Sequence, residues 1–288
     1  MAVSGKTKVY GVIGDPIEHT LSPVMQNAAF AASKLDCVFL AFNVKPEEVG
    51  KAMEGVRALG ISGLNVTMPH KNAILSLLDE VDQTAESLKA VNTVKNEDGK
   101  LFGFNTDGVG AMAALRENGV EIKGKKIMLL GAGGAARAIG FALAEQAGEL
   151  SILNRSIQPA AELADLLYKK FNSKVFAYTL SSLTVKGNLV DADLLINATS
   201  VGMKPNDCET LVSPRMLKPD LVVMDLVYDP IETKLVKNAK AAGAKVVSGV
   251  EMLIYQGAAS FEIWTGEKAP VEVMRKAALN HLKKVRKI

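Results

Sequence analysis

The chain has 288 residues, 48% hydrophobic and 23% charged, an ordinary globular composition with enough apolar material for one large core or two modest ones. A net charge of only +3, scattered apart from Lys283, Lys284, Arg286 and Lys287, argues against nucleic acid as the main partner. The two cysteines, Cys37 and Cys208, and the three histidines, His19, His70 and His281, show no metal-ligand spacing, so two free thiols are expected and a metal site is not.

In chain order, residues 9–13 read as a strand, too brief for the apolar segment of a signal peptide. No run of about 18 uncharged apolar residues follows, so the expectation is a cytoplasmic protein with no membrane partner. Ser22 and Pro23 offer an N-cap and a proline at the first helical position, opening a helix to about Ser33. Residues 38–44 form a strand, Pro46 opens a helix ending near Gly60, residues 63–67 form a strand, and Pro69 opens another helix. Two short strands flank the turn signal Asp98–Gly99. A helix then runs from Asp107 to about Asn118.

A second series begins with a strand at 126–130, a glycine-rich turn and a helix to about Gln146. Strands at 150–154, 174–178, 194–197, 221–225 and 245–247 follow, with helical patterns between most of them. The last helices span 252–265 and 271–284, and the basic cluster is read as a solvated final turn that complements the helix dipole. This alternation puts the chain in the α/β class, with two α/β units at 1–106 and 107–248. The second is a Rossmann-like, doubly wound parallel sheet covered on both faces.

Gly131-Ala132-Gly133-Gly134-Ala135-Ala136 fits G-x-G-x-x-G/A directly after a strand and at the start of a helix, the context that gives this pattern its meaning. Gly131 permits the tight turn, Gly133 lets backbone approach a pyrophosphate, and Ala136 keeps helix and strand close. The alternative is a tight turn with no ligand. At the end of the next strand stand Asn154, Arg155 and Ser156. A carboxylate there would hold the ribose 2′-hydroxyl of NAD, whereas a guanidinium pairs with the 2′-phosphate of NADP. NADP is therefore expected, unless Arg155 is only a solvated loop residue.

Reducing a ketone by hydride places negative charge on its oxygen, which needs a proton donor. Asn65-Val66-Thr67-Met68-Pro69-His70-Lys71 runs off a strand end, where ligands of such sheets bind. Lys71 at a helix start opposes the dipole, and a nearby carboxylate would hold its ammonium in place. Asp107, in Asn105-Thr106-Asp107-Gly108, is the candidate carboxylate. The plain alternatives are an exposed helical lysine and an N-cap aspartate, and His70 is the competing acid. Thr20, Ser22, Asn65, Thr67, Asn92 and Gln256 supply neutral donors and acceptors suited to a hydroxylated ring; the plain alternatives are an N-cap alone for Ser22 and a turn residue alone for Asn92.

These segments resemble the shikimate dehydrogenase family along nearly the whole chain. The resemblance rests on 14–23, 65–71, 90–93, 105–108, the glycine turn, 154–156, 198–203, 225–230 and the stretch from Gly249 to Ala258, in that order. It implies reversible NADPH-dependent reduction of 3-dehydroshikimate to shikimate, in aromatic amino-acid and chorismate biosynthesis. Lys71 and Asp107 would be the catalytic pair. Thr20, Ser22 and Tyr228 would hold the carboxylate, with Thr67, Asn92 and Gln256 on the ring hydroxyls. Leu226 and Gly249 would line the nicotinamide, beside Gly131, Ala132, Gly133, Gly134, Ala135, Asn154, Arg155 and Ser156 on the rest of the cofactor. The resemblance also implies that residues 249–288 return to the first, substrate-binding unit, that a catalytic cleft lies between the units, and that the chain forms a homodimer. Two departures stand out. The stretch Ile157-Gln158-Pro159 lacks a second basic residue, and Gln26 stands where many members have histidine. A quinate/shikimate enzyme using NAD or NADP is the neighbouring reading; a non-catalytic NADP-binding regulator is the one from another class.

Overall fold

The computed structural model describes residues 3–285. Two compact units emerge, Met1–Gly110 with Ile254–Ile288, and Ala111–Leu253.

In the first unit the apolar runs form β1 (Lys8–Gly14), β2 (Cys37–Asn43) and β3 (Gly63–Val66), separated by α1 (Ser22–Ala32) and α2 (Val49–Ala58). There follow β4 (Glu80–Val81), α3 (Gln83–Leu88), β5 (Thr93–Glu97), β6 (Lys100–Phe104) and α4 (Asp107–Glu117), which carries the chain out of this unit. The sheet is mixed, in the order β2-β1-β3-β5-β6-β4. β1 runs parallel to β2 and β3, while β5 is antiparallel to β3 and β6. β1 is paired on both sides, by β2 and β3, and its last five residues are all buried. One core gathers Ile13, Met53, Val56, Leu64, Val66 and Ile74. An aromatic cluster joins Tyr10, Phe30 and Phe39 to Phe261 and Trp264 of the C-terminal helices. Each such fully buried ring contributes roughly 1.5–3 kcal/mol through apolar burial. The Trp264 indole also donates to the Val94 carbonyl at 2.9 Å.

The second unit continues with β7 (Lys126–Leu130), α5 (Gly134–Ala144), β8 (Glu149–Asn154), α6 (Ile157–Phe171), β9 (Val175–Thr179) and α7 (Ser182–Leu189). It ends with β10 (Leu194–Asn197), β11 (Val222–Asp225), α8 (Lys234–Ala241) and β12 (Lys245–Ser248). All its strands are parallel, in the order β12-β11-β10-β7-β8-β9. That is a doubly wound sheet whose order reverses between β7 and β10, so strand ends there face a ligand-binding crevice. α9 (Gly249–Thr265) returns the chain to the first unit, and α10 (Val271–Val285) packs there against α1.

Two local expectations are corrected. Ser22 is not an N-cap: it is already helical, Leu21 holds the cap position, and the Ser22 amide donates to Thr20 Oγ1 at 3.3 Å. Pro69 opens no α-helix: residues 68–74 form consecutive turns and a short 3-10 helix follows at Leu75–Leu77. The reason lies in the carbonyls. That of Lys71, which would accept from Leu75 in an α-helix, accepts from the Val91 amide at 2.8 Å instead. β4 and α3 were not anticipated. In the C-terminal cluster, Lys283 and Lys284 sit exposed in the last turn of α10, and Arg286 and Lys287 lie outside the described residues. No helix among the described residues is long and apolar enough to cross a membrane.

Candidate active site

In the first unit the loop after β3 is pinned from several sides. The Thr67 amide donates to the Ile13 carbonyl, the Asp15 amide to that of Met68, and the Val91 amide to that of Lys71. His70 is buried, with Nε2 2.7 Å from the Val44 carbonyl, which makes it an anchor of this loop. These restraints aim Lys71 at Asp107, the first residue of α4. Nζ donates to Oδ2 at 2.5 Å, with side-chain exposures of 19% and 7%. The other carboxylate oxygen accepts from Asn92 Nδ2 at 2.7 Å. Asp107 is thus engaged by a cation and an amide rather than by its own helix, and Lys71 is neither helical nor fully exposed.

Asn92 also reaches Thr106 Oγ1 at 2.9 Å and Gln256 Oε1 at 3.5 Å. Asn65 donates from Nδ2 to Ser260 Oγ at 2.9 Å, while its buried Oδ1 accepts nothing among the described residues. Five of the expected residues (Asn65, Lys71, Asn92, Asp107 and Gln256) therefore share one network. Thr67 follows β3 and is half-buried; Thr20 and Ser22 follow β1 on the way into α1. Gln26 is fully buried, donating to the Gly257 carbonyl at 2.8 Å. Thr93, Thr106 and Ser260 belong to this network too and were missed from sequence. Only the neighbourhood of Thr93 and Thr106 to asparagines in short polar motifs pointed at them.

In the second unit the glycine turn follows β7. Gly131 has φ +103°, and a side chain there would press on the Ala198 carbonyl at 3.0 Å, so this turn requires glycine. Gly133 caps α5 and faces open space, leaving the backbone amides at Gly133, Gly134 and Ala135 approachable by an anion. Asn154 closes β8 and donates to the Ser156 carbonyl at 2.9 Å. Arg155 and Ser156 are exposed, and the Arg155 guanidinium has no carboxylate partner among the described residues. This chemistry fits a dinucleotide bearing a 2′-phosphate. Leu226 and Gly249 lie together after β11 and β12, with a side chain at Gly249 blocked by the Leu226 carbonyl. Tyr228 is in the loop after β11; burial, then the Asp229 carboxylate, raises its phenol pKa above the usual value.

Sequence reasoning also missed what supports these loops. Asp225 is fully buried and accepts from Thr233 Oγ1 at 2.5 Å, Asn197 Nδ2 at 2.9 Å and the Val227 amide at 3.2 Å. Burial outweighs those bonds and raises its carboxyl pKa. Asn197 in turn accepts from Thr199. Among the described residues no group of three His, Cys, Asp or Glu side chains is placed to hold a metal ion.

A doubly wound parallel sheet with this glycine turn, and a partly buried lysine–carboxylate pair elsewhere in the chain, define an oxidoreductase of the nicotinamide-nucleotide class. Family models agree: the shikimate dehydrogenase substrate-binding domain matches residues 12–94, shikimate/quinate 5-dehydrogenase 113–240, and the shikimate 5′-dehydrogenase C-terminal domain 249–279. The chain belongs to the shikimate dehydrogenase family. It is 52% identical to a shikimate dehydrogenase (NADP(+)) of Methanopyrus kandleri, covering 98% of this chain and 99% of that one. A shikimate dehydrogenase solved with NADP+ superposes with TM-score 0.92 at 46% identity, covering 98% of both chains. A Listeria monocytogenes shikimate 5-dehydrogenase solved with shikimate and NAD gives 0.89 at 40% identity, covering 96% and 98%.

Proposed function

We propose that Lys71 and Asp107 are the catalytic pair of a reversible, NADPH-dependent reduction of 3-dehydroshikimate to shikimate. The chain works in the shikimate pathway of aromatic amino-acid biosynthesis. The observation that carries the pair is the 2.5 Å contact between a lysine and an aspartate 36 positions apart, at strand ends of one sheet. NADPH, when bound, supplies the hydride. Lys71 gives its proton to the ketone oxygen as the alcohol forms, and takes it back in the oxidative direction. Asp107 keeps the ammonium aimed and accepts from a substrate hydroxyl.

Thr67, Asn92, Asn65 and Gln256 bind the ring hydroxyls. The unpaired, buried Oδ1 of Asn65 supports this, because such an acceptor is costly unless a ligand O–H meets it. Thr20, Ser22 and Tyr228 take the carboxylate. Ser22 is freed for that role by not being a cap. Gly131, Ala132, Gly133, Gly134 and Ala135 receive the pyrophosphate; Asn154, Arg155 and Ser156 receive the 2′-phosphate; Leu226 and Gly249 flank the nicotinamide. The unit of Met1–Gly110 with Ile254–Ile288, a few residues off the bounds expected from sequence, holds the substrate, and Ala111–Leu253 holds the nucleotide. A homodimer is the assembly proposed from the family resemblance, to be read from the mass by light scattering.

The test follows absorbance of the reduced cofactor with shikimate and with quinate, using NADP+ and NAD+. Shikimate with NADP+ is expected to be the best pair. Equal turnover of quinate would replace this reading by a dual-substrate one. Lys71→Ala is expected to lower kcat by at least about a hundredfold; unchanged turnover would remove the lysine from the chemistry.

A further inference from the structure

We propose that Thr93 and Ser260 are positioning residues that fix the amide of Asn92, and through it Asp107; this rests on the catalytic reading of the Lys71–Asp107 pair. Asn92 is useful to Asp107 in only one of its two amide orientations, the one that turns N–H toward the carboxylate at 2.7 Å. The flipped form would set a carbonyl against a negative charge. Three donors hold the useful form by bonding Asn92 Oδ1: the Thr106 amide at 2.8 Å, the Thr93 hydroxyl at 2.9 Å and, more weakly, the Thr106 hydroxyl at 3.2 Å.

The Thr93 hydroxyl has a single proton, which goes to Asn92. Its oxygen must then be met by donors from behind. Ser260 Oγ stands 2.8 Å away and Asn65 Nδ2 3.3 Å away. Ser260 itself accepts from Asn65 Nδ2 at 2.9 Å. Its competing acceptor is the Gln256 carbonyl one helical turn back, at the longer distance of 3.1 Å. Donors therefore run in series from Asn65 through Ser260 and Thr93 to Asn92, and end on the Asp107 carboxylate that faces Lys71. Such a series polarises each link in a low-dielectric interior.

Both hydroxyls are fully buried, Thr93 on β5 and Ser260 on α9. Packing alone would place valine and alanine there, since a buried hydroxyl carries a desolvation cost. No solvent reaches them to replace a lost link.

The experiment compares Thr93→Val, Thr93→Ser, Ser260→Ala and the Thr93→Val/Ser260→Ala double variant in the full-length protein, by steady-state kinetics with shikimate and NADP+ and by thermal unfolding. Thr93→Val is expected to lower kcat about tenfold and Ser260→Ala about threefold, the scale of one hydrogen bond, with the KM for NADP+ within about twofold of the parent. Thr93→Ser should restore kcat to within about twofold, because it returns the hydroxyl. The double variant should be no slower than Thr93→Val, since removing a second link from a broken series adds nothing. Unfolding shifts with unchanged kcat would overturn the proposal, as would losses that multiply in the double variant or a serine variant as slow as the valine one. Ser260→Ala gives the same comparison if Thr93→Val does not fold. Lys71→Ala, run alongside, separates the two readings. If it retains the parental rate, the catalytic pair is wrong. If it is inactive while Thr93→Val is at full rate, only the positioning role falls.

Discussion

Charge, at the scale of single residues, decides what each unit is able to hold. Arg155 is exposed and lacks a carboxylate partner among the described residues, so its guanidinium meets no competitor for a phosphate. Arg155→Ala is expected to raise the KM for NADPH about tenfold or more and leave that for NADH nearly unchanged, because only the phosphorylated nucleotide loses a charge-assisted pair; initial rates over a range of each cofactor measure this. Lys71, Asp107 and Arg155 were legible in the sequence because charged side chains at strand ends are few and each demands a partner. Thr93, Thr106 and Ser260 were not. A buried hydroxyl inside an apolar run leaves the hydrophobic pattern intact, and its hydrogen bonds come from elements far away along the chain. The Asn65 to Ser260 contact spans 195 positions.

Elements succeed or fail on what their backbone groups bond to. Thr233 caps α8 by accepting from the Val236 amide at 3.1 Å, and it donates to the buried Asp225. Thr233→Val keeps the shape and removes both bonds, so it should cost about 2–3 kcal/mol, the sum of a lost cap and an under-satisfied buried carboxyl. The shift of the urea midpoint at constant m-value is the measurement, and a loss below about 0.5 kcal/mol would mean that neither bond matters. The parallel strands of the second unit were readable because each is a short apolar run bounded by turn residues and spaced by a helix. β4 offers only two residues, and α3 six, too little for any period to show. The helix expected at Pro69 failed for a different reason. Proline and the residues after it suit a helix start, but the Lys71 carbonyl is spent on Val91. That long-range bond outweighs local preference, and it occurs at the loop that carries the proposed acid.

For the molecule as a whole, alkaline pH is the weak side of the first unit. Tyr10 lies in the aromatic core, where burial, and then the charge of Cys37, raises its pKa from 10.0 to about 12. Cys37, itself buried, is raised from 9.0 for the same leading reason. Both groups keep their protons longer when folded than when unfolded. Their contribution is therefore complete below the unfolded values and is lost as pH climbs through the folded ones. Stability should fall between about pH 9 and 12, and Tyr10→Phe should flatten the upper part of that decline; denaturant titrations across this range would show it, and identical slopes would exclude Tyr10 as the cause. The same aromatic core has one more consequence. Its Trp264, the sole tryptophan of the chain, reaches the central strands from α9, and everything from Ala111 to Leu253 is synthesised before it. A nascent chain thus possesses every residue of its nucleotide unit while the earlier-made strands still wait for their closing helices. Indole emission consequently acts as a natural reporter of that closure, absent before Trp264 is made and expected to shift when its ring packs beside Tyr10 and Phe39.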